Sequence, residues 1–505
     1  MSDRTTFGSG GRENPILLQG FAWDLAADSS HWRFLADNAA LIADSGVTTI
    51  WLPPAYKGQA GVNDVGYGVY DTYDLGEFDQ KGTVPTKYGT KDEYVAAVAA
   101  LRATGMEVLA DIVLNHRMGA DGVEQVRAVE VDGADRRKPI ADPGTITAWT
   151  RFTFPGRRGA YSDFTWDHTC FLGTDWDEAT RRNSVWLFEG KEWNEDVTDE
   201  LGNFDYLMGA DVDLNNPQVS DELIRWGRWY LETTGVDGVR LDALKHMSRE
   251  FYRRWLPALR EATGREVPAV GEFWSRDAAE LCAYLGEEPI MCMFDTPLHY
   301  RLYHASFKDR FDLSKIFEHT LVEADPDHAV TFVENHDTQP GQSLQSFVEP
   351  GFKPAAYALI LLRREGTPCV FWGDLFGTPE TGDISACIEL PLLMRLRRSL
   401  AYGPQHDVFN AADLVGFTRE GDDEHPGSGL AVVLSTALAA TKRLYVGARH
   451  AGERWICAIG GHGAITISGD GSAEFPVGES GLSVYVPASA RPIIDRGMTR
   501  LVRVR

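Results

Sequence analysis

Short apolar runs with β-strand character alternate with helical stretches through the first 400 residues, and this alternation limits the possible folds more than any other feature. Seven of the runs lie at residues 15–23, 47–54, 106–116, 237–243, 267–274, 329–337 and 368–374. Repeated strand–helix units favour a parallel sheet with right-handed crossover connections. About eight such units fit a (β/α)8 barrel, so we predict an α/β fold of the TIM-barrel class.

The stretches between these runs have the spacing of amphipathic helices. Apolar residues recur three and four positions apart at residues 31–46, 91–105 and 219–235, which is the period of one helix face. Gly235 follows the last of these segments and is a typical C-terminal stop for a helix.

Two intervals break the alternation and indicate further domains. Residues 116–217 are rich in Gly, Asp, Trp and Arg, and a connection of this length predicts a functional insertion. After about residue 404 the pattern changes to short strands separated by turn residues, which predicts an antiparallel β-domain. We therefore expect a barrel from residues 1–115 and 218–403, an inserted domain at 116–217 after the third strand, and a C-terminal β-sandwich at 404–505.

The composition excludes several classes of partner. The 505-residue chain has a formal net charge of −25, which disfavours nucleic acids and anionic membranes as partners, although solubility alone also accounts for an acidic surface. No apolar run approaches the roughly 18 to 20 residues of a membrane span, and no secretion signal is evident at the start. The six cysteines are scattered, as in a reduced protein. We predict a cytoplasmic monomer.

Polar residues gather where the predicted strands end. These positions are Asn115 and His116 after the third strand, Arg240, Asp242, Lys245 and His246 at the fourth, Glu272 and Trp274 at the fifth, and His336 and Asp337 at the seventh. Active sites of such barrels lie at the carboxyl ends of the strands. Three carboxylates from three strands, Asp242, Glu272 and Asp337, should therefore meet at one mouth.

Hydrolysis of a glycosidic bond explains why three acids would be placed together, because that reaction needs one protonated and one ionised carboxyl group. Arg240 precedes Asp242 by two residues on the same strand face and would keep it ionised as the nucleophile. Glu272 would have the raised pKa and act first as acid, then as base. Asp337 could hold the sugar hydroxyls and favour a distorted ring.

Four short segments, "DIVLNH", "GVRLDALKH", "GEFW" and "FVENHD", resemble the conserved regions of the α-amylase family, family 13 of the glycoside hydrolases. Longer segments such as "DVGYGVYDTYDLGEFDQKGTVPTKYGTK" and "DYLMGADVD" are similar to the liquefying α-amylases of bacilli and their intracellular relatives. The resemblance covers nearly the entire chain. It implies the same three roles for Asp242, Glu272 and Asp337.

The resemblance also implies residues that bind the substrate. Those around the scissile sugar are Tyr67, which would stack on it, His116 and His336, which would donate hydrogen bonds to hydroxyls, and Arg240. Those toward the reducing side are Lys245, His246 and Trp274. Packing or surface exposure is the alternative for Lys245 and Trp274. Asp111 is expected to orient its neighbours, and Glu334 to face away from the substrate.

A structural Ca2+ between barrel and insertion follows from the same resemblance. Its implied ligands are Asn115, Asp205, Asp211 and the backbone carbonyl of His246, oxygen donors that suit this ion. The chain departs from the bacillar pattern nearby, where Leu172, Asn194 and Asn215 stand in place of further aspartates and Asp213 remains. Fewer charges hold fewer cations, so the resemblance implies one Ca2+ and weaker thermal robustness.

Other functions are disfavoured. A metal-dependent barrel hydrolase needs His-x-His or a comparable cluster, and a nucleotide-binding enzyme needs a glycine-rich phosphate loop; neither pattern occurs. A non-catalytic glucan-binding relative should have lost an acid, whereas an α-glucan transglycosylase stays open because it uses the same intermediate. We predict an endo-acting, retaining α-amylase that hydrolyses internal α-1,4-glucosidic bonds of starch, glycogen or maltodextrins.

Overall fold

The computed structural model of the chain describes residues 13–307, 311–378, 381–437 and 439–497. Eight parallel strands close into a barrel, and each strand lies beside its neighbours in chain order. In that order the strands are Leu17–Gln19, Thr49–Leu52, Glu107–Ile112, Gly238–Leu241, Ala269–Gly271, Cys292–Phe294, Ala329–Phe332 and Thr367–Phe371. The predicted barrel is confirmed.

The strands are shorter than the apolar runs that predicted them, because the chain leaves the sheet before the end of each run. The seventh strand, for example, ends at Phe332 rather than at residue 337. The sixth strand, Cys292–Phe294, was not predicted. It has three residues, and its sequence "CMF" lacks the β-branched side chains that occur in most of the other strands.

The described helices cover all three segments in which periodicity predicted them. They are His31–Asp37, Ala39–Asp44, Lys91–Ala103, Pro217–Thr234, Arg249–Thr263, Ala278–Leu285, Thr296–Ser306, Leu321–Ala324, Lys353–Leu362, Trp372–Phe376, Leu390–Leu400 and, near the C-terminus, Arg491–Gly497. Gly235 ends its helix with φ 70°, as predicted. The single helix expected at residues 31–46 is two helices, because the chain turns at Asn38, whose side chain donates to the Phe34 carbonyl at 2.8 Å.

The insertion after the third barrel strand forms a six-stranded sheet. Its strands, in sheet order, are His116–Arg117, Ala210–Val212, Phe171–Asp177, Arg182–Phe188, Gly122–Val131 and Gly144–Arg151. The antiparallel pairing of the first two places Asp211 opposite His116. A separate small hairpin pairs Lys57–Gly58 with Val69–Asp71.

The C-terminal region is antiparallel, as predicted. In sheet order its main strands are Gln405–Val408, Leu414–Arg419, Leu430–Ser435, Leu482–Pro487, Arg454–Ile459 and Ile465–Thr466. Ala440–Tyr445 pairs with Ser472–Val477 in a second sheet. The core of this region includes Trp455 and Phe475, both fully buried.

The internal contacts of the chain define two compact units, residues 1–25, 41–50 and 275–505 in one and residues 26–40 and 51–274 in the other. The exact domain boundaries predicted above stay a prediction. Within the described ranges, no helix combines the length and the apolarity that crossing a bilayer requires.

Candidate active site

Arg240 is the centre of the candidate site. Its side chain is completely buried in the fourth barrel strand. Its Nη1 donates to Asp242 Oδ1 at 2.5 Å and to Asp111 Oδ1 at 2.8 Å, and its Nη2 lies 3.0 Å from Glu272 Oε2. One guanidinium therefore contacts three carboxyl groups from the third, fourth and fifth strands. The strand register explains this, because Arg240 lies beside Asp111 on one side and Val270, two residues before Glu272, on the other.

Asp111 holds Arg240 and two aromatic side chains in place through hydrogen bonds. Its Oδ2 accepts hydrogen bonds from Trp51 Nε1 at 2.9 Å and from the Tyr67 hydroxyl at 2.8 Å, while Oδ1 accepts from Arg240. Because both oxygens are used and the side chain is inaccessible to solvent, Asp111 orients its neighbours, as expected from the sequence.

The backbone after Asp242 positions Glu272. Ala243 has φ 54°, in the left-handed region that residues with a side chain rarely adopt. This conformation turns the chain out of the fourth strand, and the Ala243 N–H donates to Glu272 Oε2 at 2.8 Å. Leu244 N–H donates to the Glu272 carbonyl at 2.9 Å. The end of the fourth strand thus fixes both the backbone and the carboxyl group of Glu272.

Burial raises the pKa of both acids. The pKa of Asp242 is raised to about 6, mainly by burial; the nearby Asp111 charge also raises it, and Arg240 lowers it. Burial likewise raises the pKa of Glu272, and the negative charge of Asp242 adds to this, against the lowering effects of Arg240 and of hydrogen bonds from Ala243 and Trp274. Arg240 therefore limits a shift that burial causes and favours the ionised form of Asp242.

Asp337 and His336 lie in a tightly bonded turn after the seventh strand. The Asn335 side chain accepts from the backbone N–H groups of Asp337 and Thr338, both at 2.9 Å. His336 Nε2 lies 3.3 Å from Asp337 Oδ2, and Gln19 Nε2 donates to His336 Nδ1 at 3.1 Å. Since Nδ1 accepts that bond, the proton of a neutral His336 is on Nε2, toward Asp337.

Glu334 faces away from this turn's surface, as expected, and is fully buried. Its Oε2 accepts from the Thr338 hydroxyl at 2.5 Å, and its Oε1 accepts from the Val348 N–H. Glu334 thereby supports the turn that carries Asp337.

Two further predicted substrate residues, Tyr67 and His116, are adjacent. The Tyr67 ring lies 5.9 Å from the Arg240 guanidinium carbon, and His116 Nε2 bonds to the Tyr67 carbonyl at 2.8 Å. Burial lowers the pKa of His116, which favours its neutral form. His116 thus holds the Tyr67 backbone here, which is a different contact from the sugar contact implied by the resemblance.

Lys245, His246 and Trp274 form a second group. Lys245 Nζ donates to the Trp274 carbonyl at 2.9 Å and to Glu200 Oε1 at 2.6 Å. His246 Nδ1 bonds to the Phe204 carbonyl at 2.8 Å, and burial lowers its pKa to about 4. These contacts tie the loop after the fourth strand to the inserted segment.

Two of the predicted metal ligands, Asp205 and Asp211, are buried acids. Asp205 accepts from the Asn194 backbone at 2.9 Å and side chain at 2.8 Å, and its pKa is raised to about 7, chiefly by burial. Burial and the charge of Asp205 raise the pKa of Asp211 well above its ordinary value. Asp211 Oδ2 is buried and has no hydrogen-bond partner among the described residues. Asn115 is close by, because its carbonyl accepts from Val212 N–H at 3.0 Å.

The positions that depart from the bacillar pattern form an amide network. Asn215 Nδ2 donates to Asn194 Oδ1 at 2.6 Å, and Asn194 in turn bonds to Asp205. The remaining acid, Asp213, pairs with Lys191 Nζ at 2.6 Å. In the portions of the chain that the structure describes, no group of three or more His, Cys, Asp or Glu side chains is arranged to hold a metal.

Three contributors to the site were not predicted. Gln19 orients His336, Trp51 donates to Asp111, and Glu200 binds Lys245. Gln19 did carry a signal, because it is a polar residue at the carboxyl end of the otherwise apolar first strand. Glu200 lies in the irregular insertion, where nothing in the local pattern marks it.

Comparison with known proteins agrees with this geometry. The family description "Alpha amylase, catalytic domain" matches residues 31–391. An α-amylase of Geobacillus stearothermophilus is 47% identical over 479 residues, covering 94% of this chain and 87% of that protein. The cytoplasmic α-amylase of Escherichia coli K12 is 41% identical over 490 residues, covering 94% and 99%.

Similarity to solved structures supports the fold. The acarbose complex of an α-amylase from Geobacillus thermoleovorans has a TM-score of 0.62 at 18% identity, covering 94% of this chain and 99% of that one. Because the match to the family covers well over half of the chain, with relatives above 40% identity along nearly its entire length, this protein belongs to the α-amylase family of glycoside hydrolases.

Proposed function

We propose that this chain is an endo-acting α-amylase that cleaves internal α-1,4-glucosidic bonds with retention of configuration, in two displacement steps. The observation that carries the proposal is the contact of one buried guanidinium, that of Arg240, with both Asp242 and Glu272. Two carboxyl groups that share one guanidinium are close together, which suits the separation of about 5 to 5.5 Å of retaining enzymes rather than the wider gap of inverting ones.

The pKa shifts support one role for each acid. With a pKa of about 6, Asp242 is mainly ionised at neutral pH and can attack the anomeric carbon. Glu272, whose pKa is raised by burial and by the charge of Asp242, can be protonated and give its proton to the leaving oxygen. Once Asp242 is bonded to the sugar its charge is gone, so the pKa of Glu272 falls and Glu272 can deprotonate the incoming water.

Asp337 is proposed to stabilise the transition state. It follows the seventh strand of the barrel, and the Asn335 and Glu334 contacts hold its turn rigid. His336, with its proton on Nε2 beside Asp337, can donate to the same sugar. Tyr67 is proposed to stack on the ring, and Lys245, His246 and Trp274 to contact the reducing side of the chain.

The proposed substrate is an α-glucan such as starch, glycogen or maltodextrin. The names of the bacterial relatives as α-amylases and the acarbose complex of the structural neighbour support this class. We also propose the domain limits given above and a monomeric protein.

We further propose one structural Ca2+ bound by Asn115, Asp205, Asp211 and the carbonyl of His246. The unpartnered, buried Oδ2 of Asp211 and the repulsion between Asp211 and Asp205 are the observations that fit a cation here. Two buried carboxyl groups without close cations are costly, and an all-oxygen donor set suits Ca2+. Bound there, the ion would tie the inserted domain to the loop after the fourth strand.

A single ion, rather than several, is supported by the neighbouring side chains. The Lys191 ammonium neutralises Asp213, and the Asn194 and Asn215 amides satisfy each other and Asp205. Amides stand at two of these positions, and the one remaining aspartate is paired with a lysine, which disfavours a second cation. We accordingly propose lower thermal robustness than that of enzymes with more bound ions.

A cytoplasmic location is proposed on two grounds. The Escherichia coli relative is described as cytoplasmic. The six cysteines are all free thiols, as is usual in a reducing compartment.

Substitution of the proposed acid tests the function. Glu272→Gln should lower kcat for maltoheptaose by at least about a thousandfold while maltotetraose still binds, and the exposed Glu280→Gln serves as the matched control. In the wild-type protein, NMR during the first turnovers should show the α-anomer of the new reducing end. Retained activity of Glu272→Gln, or initial release of the β-anomer, would refute the assignment. Product chromatography separates internal hydrolysis from glucan transfer.

A further inference from the structure

A group of buried polar side chains adjoins the turn that carries Asp337, and in it two carboxyl groups share one ammonium. Its members, which we name the Lys353 cluster, are Glu334, Lys353, Tyr357 and Asp374, and none is more than 3% exposed. Lys353 begins the helix Lys353–Leu362, and Asp374 lies in the short helix after the eighth barrel strand. The cluster therefore joins the ends of the seventh and eighth strands.

The Lys353 ammonium lies between the two acids and serves them unequally. Its Nζ donates to Asp374 Oδ1 and lies 3.9 Å from Glu334 Oε1. The Tyr357 hydroxyl donates to the other oxygen of Asp374, Oδ2, at 2.6 Å. Asp374 is thus paired and hydrogen-bonded, whereas Glu334 shares the same ammonium at a longer distance. Glu334 is the acid whose burial is less well compensated.

The pKa of Glu334 agrees with this imbalance. Burial raises it well above its ordinary value, Lys353 lowers it, and the negative charge of Asp374 raises it further. An incompletely compensated buried carboxylate lowers the stability of a fold, and a neutral side chain of the same size is often the more stable choice. An acid at position 334 therefore needs a reason other than stability.

The contacts of Glu334 provide that reason, because they lead to Asp337 through the hydroxyl group of Thr338. Thr338 Oγ1 donates to Glu334 Oε2 at 2.5 Å and accepts from the Asn335 N–H at 3.0 Å. Asn335 in turn holds the Asp337 N–H. A hydroxyl group has one proton. If position 334 offered a donor, Thr338 would have to give that proton to the Asn335 carbonyl, which is 3.3 Å away.

We propose that Lys353 and Glu334 are positioning residues for Asp337. Lys353 keeps Glu334 a hydrogen-bond acceptor, Glu334 orients the Thr338 hydroxyl, and the turn at residues 335–338 then holds Asp337 in the orientation that the sugar requires. The inference rests on the proposed function, because it explains how the role given to Asp337 is supported. The second acid is retained at a cost in stability, as is common behind groups that take part in catalysis.

Glu334→Gln tests the proposal, because it keeps the shape of the side chain and reverses one hydrogen bond. The amide oxygen can still accept from the Val348 N–H, while the amide nitrogen donates to Thr338. Removing one of two acids that share an ammonium should leave the melting temperature unchanged or raise it. We expect kcat for maltoheptaose to fall about tenfold while KM stays within about twofold.

Two results with Glu334→Gln would overturn the proposal. The first is a kcat within about twofold of the wild-type value. The second is a loss of rate together with a lower melting temperature, because Glu334 would then be a structural acid like any other. An intact or more stable protein that reacts more slowly is the combination that a merely structural role does not produce.

Lys353→Met distinguishes action through Glu334 from general damage. Alone it should lower both kcat and the melting temperature, since both acids lose their cation. Added to Glu334→Gln, it should lower kcat by less than about a further twofold, because residues that act through one another are not additive. Losses of kcat that multiply would contradict the proposed coupling. If Lys353→Met does not fold, the result with Glu334→Gln decides the proposal by itself.

Tyr357→Phe is the matched control within the Lys353 cluster. It removes the hydroxyl that binds Asp374 and leaves the contacts of Glu334 in place. It should lower the melting temperature while kcat stays within about twofold, and a loss of kcat equal to that of Glu334→Gln would overturn the proposal. Hydrolysis of maltoheptaose by the wild-type protein, and its loss in Glu272→Gln, judge the proposed function separately, since both can hold while the positioning role fails.

Discussion

Replacing Asp111 by asparagine should shift the pH dependence of the enzyme, because Asp111 and Asp242 share one nitrogen of Arg240. Arg240 Nη1 donates to both carboxylates, at 2.8 Å and 2.5 Å. The charge of Asp111 raises the pKa of Asp242. In Asp111→Asn that charge is gone, and the guanidinium serves two acids instead of three.

The expected displacement is about one pH unit. A like charge within a few ångströms shifts a carboxyl pKa by about one to three units, and the remaining pair with Arg240 moderates the change. Asp242 must be ionised to attack, so activity is lost as the pH falls through its pKa of about 6. The acidic limb of kcat/KM should therefore move from about pH 6 to about pH 5 in the variant.

The same substitution should lower stability and the maximal rate. Asp111 accepts from Arg240, Trp51 and Tyr67, whereas an asparagine has one acceptor oxygen and turns its amide toward at least one of these donors. This mismatch should cost about 3 kcal/mol. Looser Arg240 and Tyr67 side chains should reduce kcat roughly tenfold or more at the optimum.

The assay is kcat/KM for maltoheptaose from about pH 4 to about pH 9, with thermal unfolding of each variant in parallel. Asp295→Asn is the control, since Asp295 is also fully buried but accepts its bonds from the N–H groups of Leu298, Leu321 and Val322. It should lower the melting temperature without moving the acidic limb. An acidic limb that stays in place or moves upward in Asp111→Asn would refute the reasoning about Asp242.

Three further predictions concern the strand end and the insertion. Ala243→Val should cost about 1 to 2 kcal/mol, because a β-branched residue is strained at φ 54°, and should lower kcat through Glu272, while Ala243→Gly should do neither, as melting curves and rates would show. Removal of Ca2+ with EDTA should lower the melting temperature by a few degrees and excess Ca2+ should restore it; no change would exclude the structural ion. Lys191→Met should lower the melting temperature more than the exposed Lys138→Met, since Asp213 would lose its cation.

Much of the fold could be predicted because barrel strands have a recognisable local sequence pattern. Strands such as Gly238–Leu241 are buried on both faces and therefore read as apolar runs. The exceptions have local causes. The strand Cys292–Phe294 has no β-branched residue, and the break at Asn38 depends on one side chain that bonds back to Phe34.

The positions of the three proposed acids near the ends of barrel strands could be predicted from the sequence, but the contacts that support these acids could not. Asp242 and Glu272 directly follow barrel strands, and Asp337 lies in the turn after the seventh strand, so their placement comes with the barrel. The partners that fix their geometry are distant in sequence. Gln19 bonds to His336 across 317 positions, and no periodic pattern records such a pairing.

The acids around Arg240 and the pair Asp205 and Asp211 all carry carboxyl groups that are costly to bury in ionised form. The two groups differ in what offsets this cost. Around Arg240 the chain supplies its own cation. Asp242 and Glu272 both have raised pKa values there, and the proposed chemistry uses them. Around Asp205 and Asp211 the nearest opposing charge, Arg136, is outweighed by burial. A fixed guanidinium suits acids whose charge changes during the proposed turnover, by proton transfer at Glu272 and by bonding to the sugar at Asp242. Acids that only hold domains together can instead be left for an ion from solution. The difference between the two groups therefore argues for catalysis at the first and for a structural cation at the second.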